Sequence, residues 1–195
     1  MIAHTSQAGA QRAWLLSAAR GAVALTVGIA VVFIQDHSSL IGLGTAAVLF
    51  ACMAVAMAAL SSKAGPARRG VLTGAAIHAA GAVASVALLM AQAGPVPLLI
   101  LLLVWALASG LVELATARLA AQSHIAAARD WRFVALVTLG YVVLLAISPL
   151  LGIADPVSLT GFLGAYAAII GVFLLIGAAS AALGTKATQS SEVQS

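Results

Sequence analysis

The stretch WLLSAARGAVALTVGIAVVFI, residues 14–34, decides the fold. Twenty-one residues carry a single charge, Arg20, and no proline. A helix of that length rises about 30 Å at 1.5 Å per residue, which is the thickness of a bilayer's hydrocarbon core. The run is too long for a signal-peptide core, lacks a basic segment before it and has no small-x-small cleavage pattern after it. It therefore reads as a retained transmembrane helix.

The rest of the chain repeats this pattern. Of 195 residues, 63% are hydrophobic and 7% charged, against about 25% charged in soluble proteins, so the solvent for most of the chain is lipid. Six spans are predicted, at about 14–34, 40–60, 71–91, 98–117, 132–150 and 159–183, within a single transmembrane domain covering 14–183. Residues 1–13 form an N-terminal segment, and the polar 184–195 is expected to be a disordered tail. The breaks carry turn chemistry: QDHSS at 35–39, SSKAGPARRG at 61–70, QAGPVP at 92–97 and LGIADPVS at 151–158. Four prolines lie in breaks and Pro149 ends the fifth span, so none removes a hydrogen bond from the middle of a helix. The expected fold is an all-α membrane protein of six helices arranged as three hairpins.

Basic residues orient it. Arg12 precedes the first span; Lys63, Arg68 and Arg69 fill the second connection; Arg118, Arg129 and Arg132 bracket the fourth; Lys186 lies in the tail. The first, third and fifth connections hold no Lys or Arg, and two of them carry Asp36 and Asp155. By the positive-inside rule both termini face the cytoplasm. The net charge of +4 is explained by this topology; spread over several flanking segments, it forms no basic face for nucleic acid. The one cysteine, Cys52, rules out an internal disulfide.

The hairpins begin near Trp14, Leu72 and Trp131. Evenly sized hairpins give such even spacing in any six-span chain, so a true internal repeat and coincidence both stand. Glycine and alanine recur at heptad spacing in Gly21 and Gly28, Gly74 and Gly81, and Gly164, Gly171 and Ala178. Such stripes let helix backbones approach closely in lipid, and they read as packing seams rather than a pore.

The motif W-x5-R-G-x6-G in WLLSAARGAVALTVG, followed by a short turn and a second span, resembles the HdeD-like acid-resistance membrane proteins. LLVWALASGLVELATARL (102–119), RDWRFVALVTLGYVVLLAISP (129–149) and GFLGAYAAIIGVFLLIGAASAAL (161–183) resemble that family's later spans. The resemblance covers about residues 12–183. It departs at Gln35 and Asp36, where a proline is expected, and in the third span, which has no tryptophan. It implies a role in stress or acid tolerance at the bacterial inner membrane, and no catalytic residues.

Ionisable residues inside spans are the default functional candidates. Arg20, His78 and Glu113 lie about 9, 10 and 6 Å inside the cytoplasmic boundary at 1.5 Å per residue, so they share one leaflet. In one reading they form a polar cluster, with Glu113 accepting from Arg20 and His78 alongside as a group able to titrate near neutrality. In the other, Arg20 snorkels to the headgroups and His78 simply packs. The scattered serines have no His–Asp partners, the remaining histidines (His4, His37, His124) have no metal-ligand spacing, and no phosphate-binding loop is present. The sequence therefore predicts a small non-enzymatic polytopic protein of the inner membrane, with neither cofactor nor metal. Its expected partner is the lipid bilayer, and a homo-oligomer or a membrane-protein partner is left open. The alternative is a small proton-linked transporter or channel built on Arg20, His78 and Glu113.

Overall fold

A computed structural model describes residues 3–121 and 125–193, with side chains over 14–121 and 128–183. Among these residues the chain is all helix and turn. Six long helices follow one another: α1 (Ala3–Phe33), α2 (Ser39–Leu60), α3 (Arg68–Met90), α4 (Pro95–Ala120), α5 (Ile125–Ile147) and α6 (Pro156–Val193). Each contains a segment long and apolar enough to cross a membrane, from Trp14–Phe33 in α1 to Pro156–Leu183 in α6.

The helices overrun the spans read from sequence. α1 begins at Ala3, within the expected N-terminal segment, and α6 runs to Val193 instead of ending in a disordered tail at 184. No proline interrupts either extension. The long fourth connection shrinks likewise, because α4 continues to Ala120 and α5 resumes at Ile125.

The helix starts follow local chemistry. Asp155 caps α6: one carboxylate oxygen accepts the Val157 and Ser158 N–H groups at 2.9 and 3.0 Å, the other the Ser158 hydroxyl at 2.6 Å, and Pro156 follows at the first helical position. The Ser158 hydroxyl, then these backbone donors, hold the Asp155 carboxyl below its usual range. At the matching turn Ser38 caps α2, its hydroxyl accepting the Ile41 N–H while Asp36 accepts the Ser38 N–H at 3.0 Å. Gly152, at φ +70°, gives the turn before α6 the left-handed residue it requires.

The chain's hairpins join α1 to α2, α3 to α4 and α5 to α6, yet the most extensive packing lies elsewhere. α2 packs chiefly on α3, α4 on α5, and α1 on α6, which closes the cycle. The even helices also touch one another. The result is an approximate threefold arrangement: α2, α4 and α6 form an inner triangle, with α3, α5 and α1 laid against them. Along the inner helices buried residues match in register: Leu43, Leu98 and Leu159, then Ala46, Leu102 and Leu163. The next layer is aromatic, with Phe50, Trp105 and Tyr166 standing eleven, ten and ten residues after their helix starts. Phe50 stacks on Trp105 at 4.3 Å between centroids, and Trp105 meets Tyr166 edge-on at 5.8 Å. Met57, Glu113 and Leu174 match two turns further on, all buried.

The small-residue stripes lie in seams, as their spacing predicts. A Cβ on Gly28 would stand 2.6 Å from the Ala168 backbone nitrogen, and one on Gly171 would strike the Leu25 backbone, so α1 and α6 meet backbone to backbone. Gly74 and Gly81 face Met57 and Phe50 of α2.

Candidate functional site

The charge of Glu113 stands on an inner helix at the level of Met57 and Leu174, buried inside the bundle. An isolated carboxylate there would be very costly, so its partners decide whether it is tolerated. Arg20 reaches it from α1: Nη2 donates to Glu113 Oε1 at 2.5 Å. Both side chains are buried, at 4% and 6% exposure, so Arg20 is turned inward and does not snorkel to the headgroups. Its guanidinium also lies over the Trp131 ring, 4.1 Å from the centroid, so α5 adds a cation–π contact in a desolvated setting.

The second carboxylate oxygen, Oε2, faces α5. Thr138 Oγ1 lies 3.2 Å from it and 2.8 Å from its own Val134 carbonyl, so its single proton is shared between two acceptors. Tyr166 of α6 completes the line, its hydroxyl 2.8 Å from Thr138 Oγ1 and donating to it. Four helices, α1, α4, α5 and α6, therefore meet in one hydrogen-bonded network.

His78 of α3 comes to the same place without joining that network directly. Its Nδ1 donates to the Gly74 carbonyl at 2.8 Å, one turn back on its own helix. The ring stands edge-on to Trp105 at 5.6 Å and to Phe50 at 6.2 Å. Arg20, His78, Glu113, Trp105 and Tyr166 border a common void of about 10 Å³. That is the least volume able to hold one water molecule.

The three polar residues on the outer helices occupy matching positions. Arg20 and His78 each stand six residues after the start of their hairpin, at Trp14 and Leu72, and Thr138 stands seven after Trp131. Each lies on the side facing Glu113. Thr138 did not stand out in the sequence because a neutral hydroxyl gives no hydropathy signal. The hairpin offset carried through to the third hairpin falls on Val137, one residue short of it. Trp105 and Tyr166 were missed for a similar reason, since aromatic residues in a span ordinarily signal packing or an interfacial anchor.

No family model, curated protein or solved structure matches the chain. The chemistry of the site therefore rests on these side chains alone. Among the described residues no group of three His, Cys, Asp or Glu converges with metal-ligand geometry. Ser109, the serine on α4 one turn from Glu113, finds no hydrogen-bond partner for its hydroxyl among the described residues. A larger groove, about 480 Å³, lies between α1 and α2, lined by aliphatic residues with Gly44 and Thr45. None of the polar cluster borders it. His4 and His124 fall outside the residues whose side chains are described.

Proposed function

We propose that the chain is a small, non-enzymatic, multi-pass protein of the bacterial inner membrane that contributes to stress or acid tolerance. Its basic ends and both termini would face the cytoplasm. The distribution of Lys and Arg supports the orientation. The resemblance of residues 12–183 to the HdeD-like proteins supports the physiological role. The observation that carries the non-transporting part of this reading is the buried polar centre: Arg20 and Glu113 pair in a seam whose void is about 10 Å³, too small for a solute. Transporters bind their substrates in broken helices near the midplane, whereas the helices here run unbroken past the cluster.

One observation favours a second reading. Three ionisable side chains from three helices border one void, as a proton-linked carrier or channel would require. A pH-jump flux assay in proteoliposomes separates the two. The first reading predicts no proton flux above that of empty liposomes, in wild type and in Glu113→Gln alike. Flux in wild type that Glu113→Gln abolishes would replace it with the second. The stress role is tested separately, by acid survival of cells lacking the protein, with and without complementation by the full chain.

A further inference from the structure

Two buried N–H groups at the centre of the molecule find no hydrogen-bond partner among the described protein groups: Arg20 Nε and Trp105 Nε1. Arg20 is 3% exposed and Trp105 4%. Leaving a buried donor unsatisfied costs about 1–3 kcal/mol, and natural cores rarely leave two together. Both residues border the same small void. The other buried side chains with an unpartnered group, Ser109, Tyr141 and Thr160, do not border it.

The lining of the void also supplies acceptors. The Gly74 carbonyl only accepts, so the bond of His78 Nδ1 to it places the ring proton on Nδ1. In the neutral ring this leaves Nε2 as an acceptor. Glu113 borders the void as well. Residues carrying two unpartnered donors and two acceptors therefore border one space of about 10 Å³. A buried water needs that minimum volume and two to four polar partners. An anion of that size would find Glu113 on its wall, and a cation would find Arg20, so a neutral ligand that both donates and accepts fits best.

We propose that this void is a binding site for one water molecule, which accepts from Arg20 Nε–H and Trp105 Nε1–H and donates to His78 Nε2 and Glu113. The water gives His78 the link to Glu113 that it lacks through direct contact. The network then joins five helices, α1, α3, α4, α5 and α6, and the polar residues of all three hairpins bear on one carboxylate. This goes beyond the stress-tolerance reading and does not depend on it.

The test is water-edited solid-state NMR on the full chain in lipid bilayers, with tryptophan and histidine labelled with nitrogen-15. Magnetisation from water is expected to reach the Trp105 indole N–H despite its burial; Trp105→Phe assigns the signal, and partly exposed Trp14 is the positive control. His78 is expected to show a protonated Nδ1 and a hydrogen-bonded, unprotonated Nε2. Ala24→Val, which adds two methyl groups to the wall of the void, is expected to abolish the transfer to Trp105 while the other tryptophan signals persist. No transfer to Trp105 in the wild-type protein would overturn the proposal whatever the variants do. Transfer undiminished in a folded Ala24→Val protein, or a His78 protonated on Nε2 instead, would overturn it equally.

Discussion

The two halves of the inner triangle are built from the same three helices in the same register, yet they are held together by different forces. Toward the Asp36 and Asp155 end the layers are Leu43, Leu98 and Leu159, then Ala46, Leu102 and Leu163, all fully buried and apolar. Toward the basic end Glu113 takes a place in the layer of Met57 and Leu174, and Arg20, His78 and Thr138 are drawn in around it. In lipid an apolar layer gains nothing by hiding from water, so the first half depends on shape and close backbone approach. The second half depends on charges that have nowhere else to go. A void or a bump is the failure mode of the first half, and a lost partner that of the second.

The largest expected effect comes from removing one partner in the polar half. Glu113→Ala leaves the Arg20 guanidinium buried and unpaired, and should destabilise the protein by about 3–5 kcal/mol. Thermal unfolding in detergent or nanodiscs reads this directly, and a melting temperature close to wild type would break the comparison. The apolar half and the α1–α6 seam should respond to volume. Gly171→Ala drives a methyl group into the Leu25 backbone and should lose about 1–3 kcal/mol, as overpacking does. Gly161→Ala, on the same helix but facing open space, should be neutral or slightly stabilising. Equal losses at the two glycines would remove the seam from the account.

Smaller effects sharpen the picture. Thr138→Val keeps the shape of the side chain but removes the proton shared with Glu113 Oε2, and should lose about 1 kcal/mol. The exposed cap at Asp155 should matter least. Its folded pKa lies below the ordinary 3.8, so the cap is intact at neutral pH and is lost only as pH falls through that lowered value. Asp155→Ala should therefore lower the melting temperature slightly at pH 7 and progressively less in strong acid. A loss that grows on acidification would contradict this assignment.

Much of the architecture was legible because hydropathy is a local property. Six spans, their turns and the asymmetry of charge follow from runs of residues that need no knowledge of tertiary contacts. The common depth of Arg20, His78 and Glu113 could also be counted along the helices. Which way each side chain turns could not, because rotation about a helix axis is set by the neighbouring helices. That is why inward pairing and snorkelling stood as alternatives for Arg20 until the orientation of α1 against α4 and α5 was known. The packing of α1 on α6 joins residues at opposite ends of the chain. Its glycine stripes showed that a seam exists without showing which helix fills it. Beyond Leu183, where a disordered tail was expected, the helix continues to Val193 although hydropathy has stopped. Thr138, Trp105 and Tyr166 were invisible as site residues because each has an ordinary place in an apolar helix.

The central claim is that Arg20 and Glu113 are energetically coupled inside the bundle. A double-mutant cycle with Arg20→Met, Glu113→Leu and the double variant, followed by unfolding in bilayer mimetics, measures that coupling. Each single change should cost about 3–5 kcal/mol, while the double variant, with no buried charge left, should return close to wild type or exceed it. Single effects that simply add in the double variant would mean that the two residues do not sense each other, and the account of the polar centre would fall.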